Sequence, residues 1–121
     1  MNQWTALNSF WNSFDIPAYD ENTVPDDATM PYVTYEASMG GLGDILSLSA
    51  SLWYRTTSWA GISEKAKEIG DYIGGGASVL YDNGRLWITK TTPFARRMNE
   101  PEDKNVRRIV LTVNAEFQTA E

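Results

Sequence analysis

The chain has 121 residues, with 10 Lys and Arg against 16 Asp and Glu, a net charge of -6, and neither Cys nor His. That length suits one domain over residues 1–121, able to bury a core without metal or disulfide support. The missing residue types exclude disulfides, thiolate nucleophiles, imidazole bases and the commonest zinc and haem ligands.

Trp4, Leu7, Trp11 and Phe14 recur at i, i+3, i+7 and i+10, the stripe of an amphipathic helix opened by Asn2 or Thr5 and ended before Pro17. Its aromatics are expected in the core. Residues 20–31 are acidic, proline-bearing and aperiodic, and read as a surface connector. PYVTYEA, from Pro31, is rich in β-branched and aromatic residues and predicts a first strand. Gly40, Gly41, Leu42, Gly43 and Asp44 then form a hairpin connection; the lysine, hydroxyl and following helix of a phosphate loop are missing. From Ile45 to Arg55, Leu46, Leu48, Ala50, Leu52 and Tyr54 alternate with Ser47, Ser49, Ser51 and Trp53, predicting a second, antiparallel strand.

Ile62, Ala66, Ile69 and Ile73 share one face of a second helix, which Ser63 and Glu64 suit at its start and Gly74, Gly75 and Gly76 terminate. A hairpin follows, with Asn83-Gly84 supplying the two positive-φ residues of a tight I′ turn. PFARRMNEPEDKN is aperiodic and reads as a long polar loop carrying Arg96 and Arg97. In the closing strand Ile109, Leu111, Val113, Ala115 and Phe117 share one face, with Arg108, Thr112, Asn114 and Glu116 on the other. The expected class is α+β: two helices on one face of a mainly antiparallel or mixed sheet of about five strands, in the order α-β-β-α-β-β-β.

Charge is unevenly spread. Residues 1–54 hold seven acids (Asp15, Asp20, Glu21, Asp26, Asp27, Glu36, Asp44) and no Lys or Arg, whereas residues 85–108 hold seven bases against three acids. Folding could leave these charges on a solvated surface, where pairs contribute little. The sharper expectation is that the acidic half of one copy faces the basic loop of the next, a head-to-tail contact that closes into a ring.

No catalytic constellation emerges, and no cofactor or metal site. Glu100, Glu102 and Asp103 lie in a loop punctuated by Pro101 and Lys104, without converging carboxylates elsewhere. A Ser or Thr nucleophile would need a Lys base, and Lys65 and Lys67 are read on an exposed helix face among acids. Arg96, Arg97, Arg107 and Arg108 near Phe94 are too small a patch for an acidic chain to grip nucleic acid specifically. No apolar run reaches the roughly 20 residues of a membrane helix, and MNQWTALNSFW lacks a signal peptide's regions, so a cytoplasmic protein without a membrane partner is expected.

PYVTYE, SLSASLWYRT, SEKAKEIGDYIGGG and LYDNGRLWITKTTPFARRMNEPEDKNVRRIVLTVNAEF together resemble the small tail-terminator or tail-completion proteins of siphophages and related contractile phages, often labelled minor capsid proteins. The resemblance covers residues 1–120 and is carried by the hairpin, PFARRM, an acidic spacer and a final strand ending AEF. It implies a subunit of a hexameric ring that ends the tail tube and presents a surface to the head connector. The implied partners are further copies of itself, the tail tube protein and the head-completion or connector protein, with DNA passing through unrecognised. The implied place is the tail and neck of a virion, assembled in the host cytoplasm. Mapped onto this chain, the expected contacts are Gly40, Gly41, Leu42 and Asp44 in one element and Phe94, Arg96, Arg97, Met98, Lys104 and Arg107 in another. Two alternatives stand beside it: a head-completion or stopper protein of the head-tail connector, and a non-viral binding module whose Arg-rich loop grips an acidic partner.

Overall fold

The computed structural model describes residues 2–119, so residues 1, 120 and 121 of the expected 1–121 domain lie outside the described residues. Asn2 opens the first helix, α1 (Gln3–Trp11), through a capping box: its side chain accepts from the Thr5 N–H, and the Thr5 hydroxyl accepts from the Asn2 N–H. A 3-10 turn, Asn12–Phe14, tightens the end of the helix before Asp15 leaves it at φ 65. Ala6, Leu7, Phe10, Trp11 and Phe14 are buried, but Trp4, expected on the buried stripe, is 49% exposed. The buried face is centred on Phe10, which leaves Trp4 at its margin in the first turn.

A short strand that sequence periodicity does not signal follows: β1 (Ala18–Asp20) runs parallel to β2 (Tyr32–Tyr35), with Ala18 opposite Val33 and Asp20 opposite Tyr35. The surface connector is therefore shorter than expected and begins after Asp20. The outer edge of β1 is occupied by a side chain rather than a strand. The Asn12 carboxamide accepts from the Ala18 N–H at 3.0 Å and donates to the Ala18 carbonyl at 3.2 Å, standing in for a neighbouring backbone and blunting the edge. Asn12→Ala is expected to lower stability by about 1–2 kcal/mol, because it strands both groups of Ala18. An unshifted urea midpoint would show that this edge is not held as described.

The remaining elements are β3 (Ile45–Arg55), α2 (Ala60–Ile73), β4 (Ala77–Tyr81), β5 (Gly84–Met98) and β6 (Val106–Thr119). Together the strands form a six-stranded mixed sheet in the order β1-β2-β3-β6-β5-β4, parallel only at β1 and β2. The class is α+β as expected, with one strand more than the sequence signals. β3 pairs antiparallel to both β2 and β6, and the alternation read from the sequence holds: Leu48, Ala50 and Leu52 are buried beside Val113, Leu111 and Ile109. Both helices cover this face, and the Phe14 ring meets the Tyr72 ring edge-on at 5.2 Å where they touch. α2 starts three residues earlier than Ser63, with Trp59 at its cap position and the Ser58 hydroxyl accepting from the Ala60 N–H in the turn before it; Gly74, at φ 51, ends it.

The largest departure from the sequence reading is the supposed loop from Pro93 to Asn105. β5 runs through it to Met98. Its ladder with β6 breaks between Lys90 and Ala95, around a Pro93 that has no N–H to donate, then resumes from Ala95 opposite Leu111 to Met98 opposite Arg108. Arg96, Arg97 and Met98 are thus strand residues and Phe94 sits in a bulge, while the true connection is residues 99–105. There the Asp103 side chain accepts from the Asn105 N–H.

Candidate functional site

Resumed pairing after the bulge fixes where the basic side chains stand. The Phe94 ring lies against α2 at Gly70, where an added Cβ would be 3.2 Å from the ring, and the Lys90 ammonium stands 6.0 Å above it. Arg97 lies 4.8 Å from the Trp59 ring and Arg107 5.4 Å from it, so two guanidinium groups face one indole. Arg107 also donates to the carbonyls of Thr57, Lys104 and Val106, while its Nε is buried without a partner. Between α2 and β5 lies a cleft of about 400 Å³, with an apolar floor of Ala66, Phe94 and Ile109 and a rim that includes Lys67, Asp71, Lys90 and Arg97; Arg96, opposite Val110, stands on the other face of the sheet, beside Thr112. A second, of about 490 Å³, lies where the 99–105 connection folds over Trp59.

The ion pairs leave most of this basic surface uncompensated. Lys67 pairs with Asp71 at 2.6 Å; this hydrogen bond raises the Lys67 pKa and lowers that of Asp71. Asp103, lowered by the Asn105 N–H and then by Arg55, pairs with Arg55, and Glu100 pairs with Arg108. Lys90, Arg96, Arg97, Lys104 and Arg107 have no carboxylate at ion-pairing distance among the described residues. Nor does any of the seven acids of residues 1–54 pair with a base there. Those with partners use uncharged donors: Asp20 takes the Asn22 N–H and carboxamide, Glu36 the Ser49 N–H and Asp44 the Gly41 N–H. Folding therefore does not neutralise the charge split.

The two sets of expected contact residues are not brought together. The Gly43 N–H bonds to the Phe117 carbonyl and Ile45 stands opposite Glu116, so Gly40, Gly41, Leu42 and Asp44 cluster at one end of the β3–β6 ladder. Met98, Lys104 and Arg107 stand at the other end, where Arg55 faces Val106. Ten rungs separate Ile45 from Arg55, about 34 Å at the usual rise. The glycine end exposes apolar surface, with Leu42 at 60% and Ile45 at 67%. Trp59 and Lys90, which sequence reasoning did not single out, belong to the basic surface, as does Lys67, which stands on an exposed helix face beside an acid as expected. Trp59 precedes a helix without periodic signal, and Lys90 joins only through the Phe94 bulge.

Among the described residues no group of three or more Asp or Glu is placed to hold a metal, and no helix is long and apolar enough to cross a membrane. Lys65, read as exposed, is instead largely covered: its ammonium donates to the Phe14 carbonyl at 2.9 Å and pairs with Glu68, tying the first helix's end to α2. The fold is an α+β sheet with both helices on one face and a cationic cleft between α2 and β5. No family model matches the chain, and no curated protein matches it. Among solved structures, a chain of the virion of a native gene transfer agent particle is similar at 23% identity with a TM-score of 0.56, over 92% of this chain and 83% of that one. At that identity the likeness is one of fold.

Proposed function

We propose that the protein is a structural subunit of a phage-like virion, and within it a tail terminator: one domain that assembles as a hexameric ring, ends the tail tube and meets the head connector. The observation that carries this reading is a fold shared along nearly the whole chain with a chain from a virion particle. The role is non-enzymatic. The sequence resemblance points to the same biology, and unpaired charge of opposite sign on separate parts of the surface suits a subunit made for contacts. DNA passes through the ring without specific binding, and the residues at either end of the β3–β6 ladder, Leu42 and Asp44 at one and Met98, Lys104 and Arg107 at the other, are offered to different neighbours.

Adding purified protein to polymerising tail tubes tests it under the electron microscope. The expected result is a ring at tube ends and tubes that stop growing. Tubes that elongate unchanged overturn the terminator role; a ring that seats on the portal side instead establishes the stopper alternative.

A further inference from the structure

We infer that the acidic segment following β1 in one copy seats on the cationic cleft between α2 and β5 of the next copy, an inference that rests on the ring reading above. Three observations meet in it. First, both surfaces keep charge that folding does not pair. Glu21, Asp26 and Asp27 are exposed and have no basic partner among the described residues, Arg97 has no acidic one there, and Lys90 feels only the charge of Asp71, which Lys67 already pairs. Complementary patches of this kind choose partners and speed encounter.

Second, the two surfaces lie on different parts of the sheet. β1 is one edge, and β5 is four strands away, about 19 Å at the usual spacing. A patch that binds a different patch makes a heterologous contact, which generates rings or filaments rather than a closed twofold pair. Direct continuation of the sheet at β1 is blocked, because the Asn12 carboxamide already occupies the Ala18 backbone groups.

Third, the two surfaces share a rung. Asp20 stands opposite Tyr35, Tyr35 opposite Ala50, Ala50 opposite Leu111, and Leu111 opposite Ala95, which lines the cleft. The acidic segment therefore leaves the sheet at the height at which the cleft receives it. A shared height lets copies repeat by rotation with little translation along the strands, which is the condition for a ring rather than a filament. The cleft's Phe94 and Ile109 floor gives the incoming backbone an apolar seat, where displaced water strengthens the surrounding charge pairs.

Reciprocal charge reversal on the full chain tests the contact, with mass in solution read by analytical ultracentrifugation at low and high salt. K90E/R97E and, separately, E21K/D26K/D27K are each expected to weaken self-association by about tenfold or more, with unchanged circular dichroism. Mixing the two variants should restore association, because each supplies the surface that the other has inverted. Wild-type association should also fall as salt rises. A wild-type chain that stays monomeric at low salt, or variants that associate as wild type does, overturn the contact, as does a mixture without rescue. Tube capping by a variant with no rescue would overturn this contact and leave the terminator role standing. Rescue in solution without capping would do the reverse.

Discussion

Leu111→Ala is expected to destabilise the fold by about 2–5 kcal/mol, toward the upper part of that range. The cost of such a change depends on how far the surroundings can collapse into the space left behind. Leu111 is fully buried in the central strand of the sheet, and its cross-strand neighbours on both sides are alanines, Ala50 on β3 and Ala95 on β5. Neither carries a side chain long enough to fill the void, so dispersion contacts are lost outright. Val110, next along the strand, faces away from the helices and is half-buried, so Val110→Ala should cost about 1 kcal/mol or less. Urea unfolding of the pair checks the facing of β6. Equal losses, or a larger loss at Val110, would mean that the strand is turned over.

What could be read from the sequence follows how strongly one side of each element is buried. β3 was legible to the residue and β6 from Val106 to Phe117, two residues short of its end, because one face of each is apolar and mostly covered while the other carries Ser, Thr, Asn and Arg. α2 was legible on the same ground through Ile62, Ala66, Ile69 and Ile73. β1 was not, since three residues cannot show a period, and it is held by Tyr32–Tyr35 and Asn12, which are distant or unremarkable in sequence. The second half of β5 failed for a different reason. Ala95, Arg96 and Arg97 are all exposed, so the alternation that marks a half-buried strand is erased, and Pro93 looks like the start of a loop when it only interrupts the ladder. For the candidate site, the separation of acids from bases was visible in the sequence. That folding leaves them unpaired, and places Asp20 on the rung of Ala95, depends on strand order and register, which composition does not encode.

The hairpin between β4 and β5 shows how a correct turn position can rest on the wrong reason, and it makes the second large prediction. Asn83-Gly84 suggests a I′ turn with both residues at positive φ. In the structure Tyr81 and Gly84 are the closing pair, the loop is Asp82 and Asn83, and only Asn83, at φ 64, is left-handed. Gly84 is needed for space: a Cβ there would lie 2.3 Å from the Gln118 carbonyl oxygen and 2.9 Å from the Tyr81 ring, whose hydroxyl donates to that same carbonyl. Because the obstacle is backbone of the adjacent strand, it cannot swing aside as a side chain would. Gly84→Ala is therefore expected to cost about 3 kcal/mol, the upper part of the usual overpacking range, by prising β5 from β6. Asn83→Gly keeps the left-handed conformation available and should stay within about 1 kcal/mol, most of it from the freer unfolded chain. Thermal unfolding of the two variants separates the explanations: a turn that needed glycine for its φ at position 84 would lose little to packing, whereas crowding against Gln118 predicts a large drop for Gly84→Ala and a small one for Asn83→Gly.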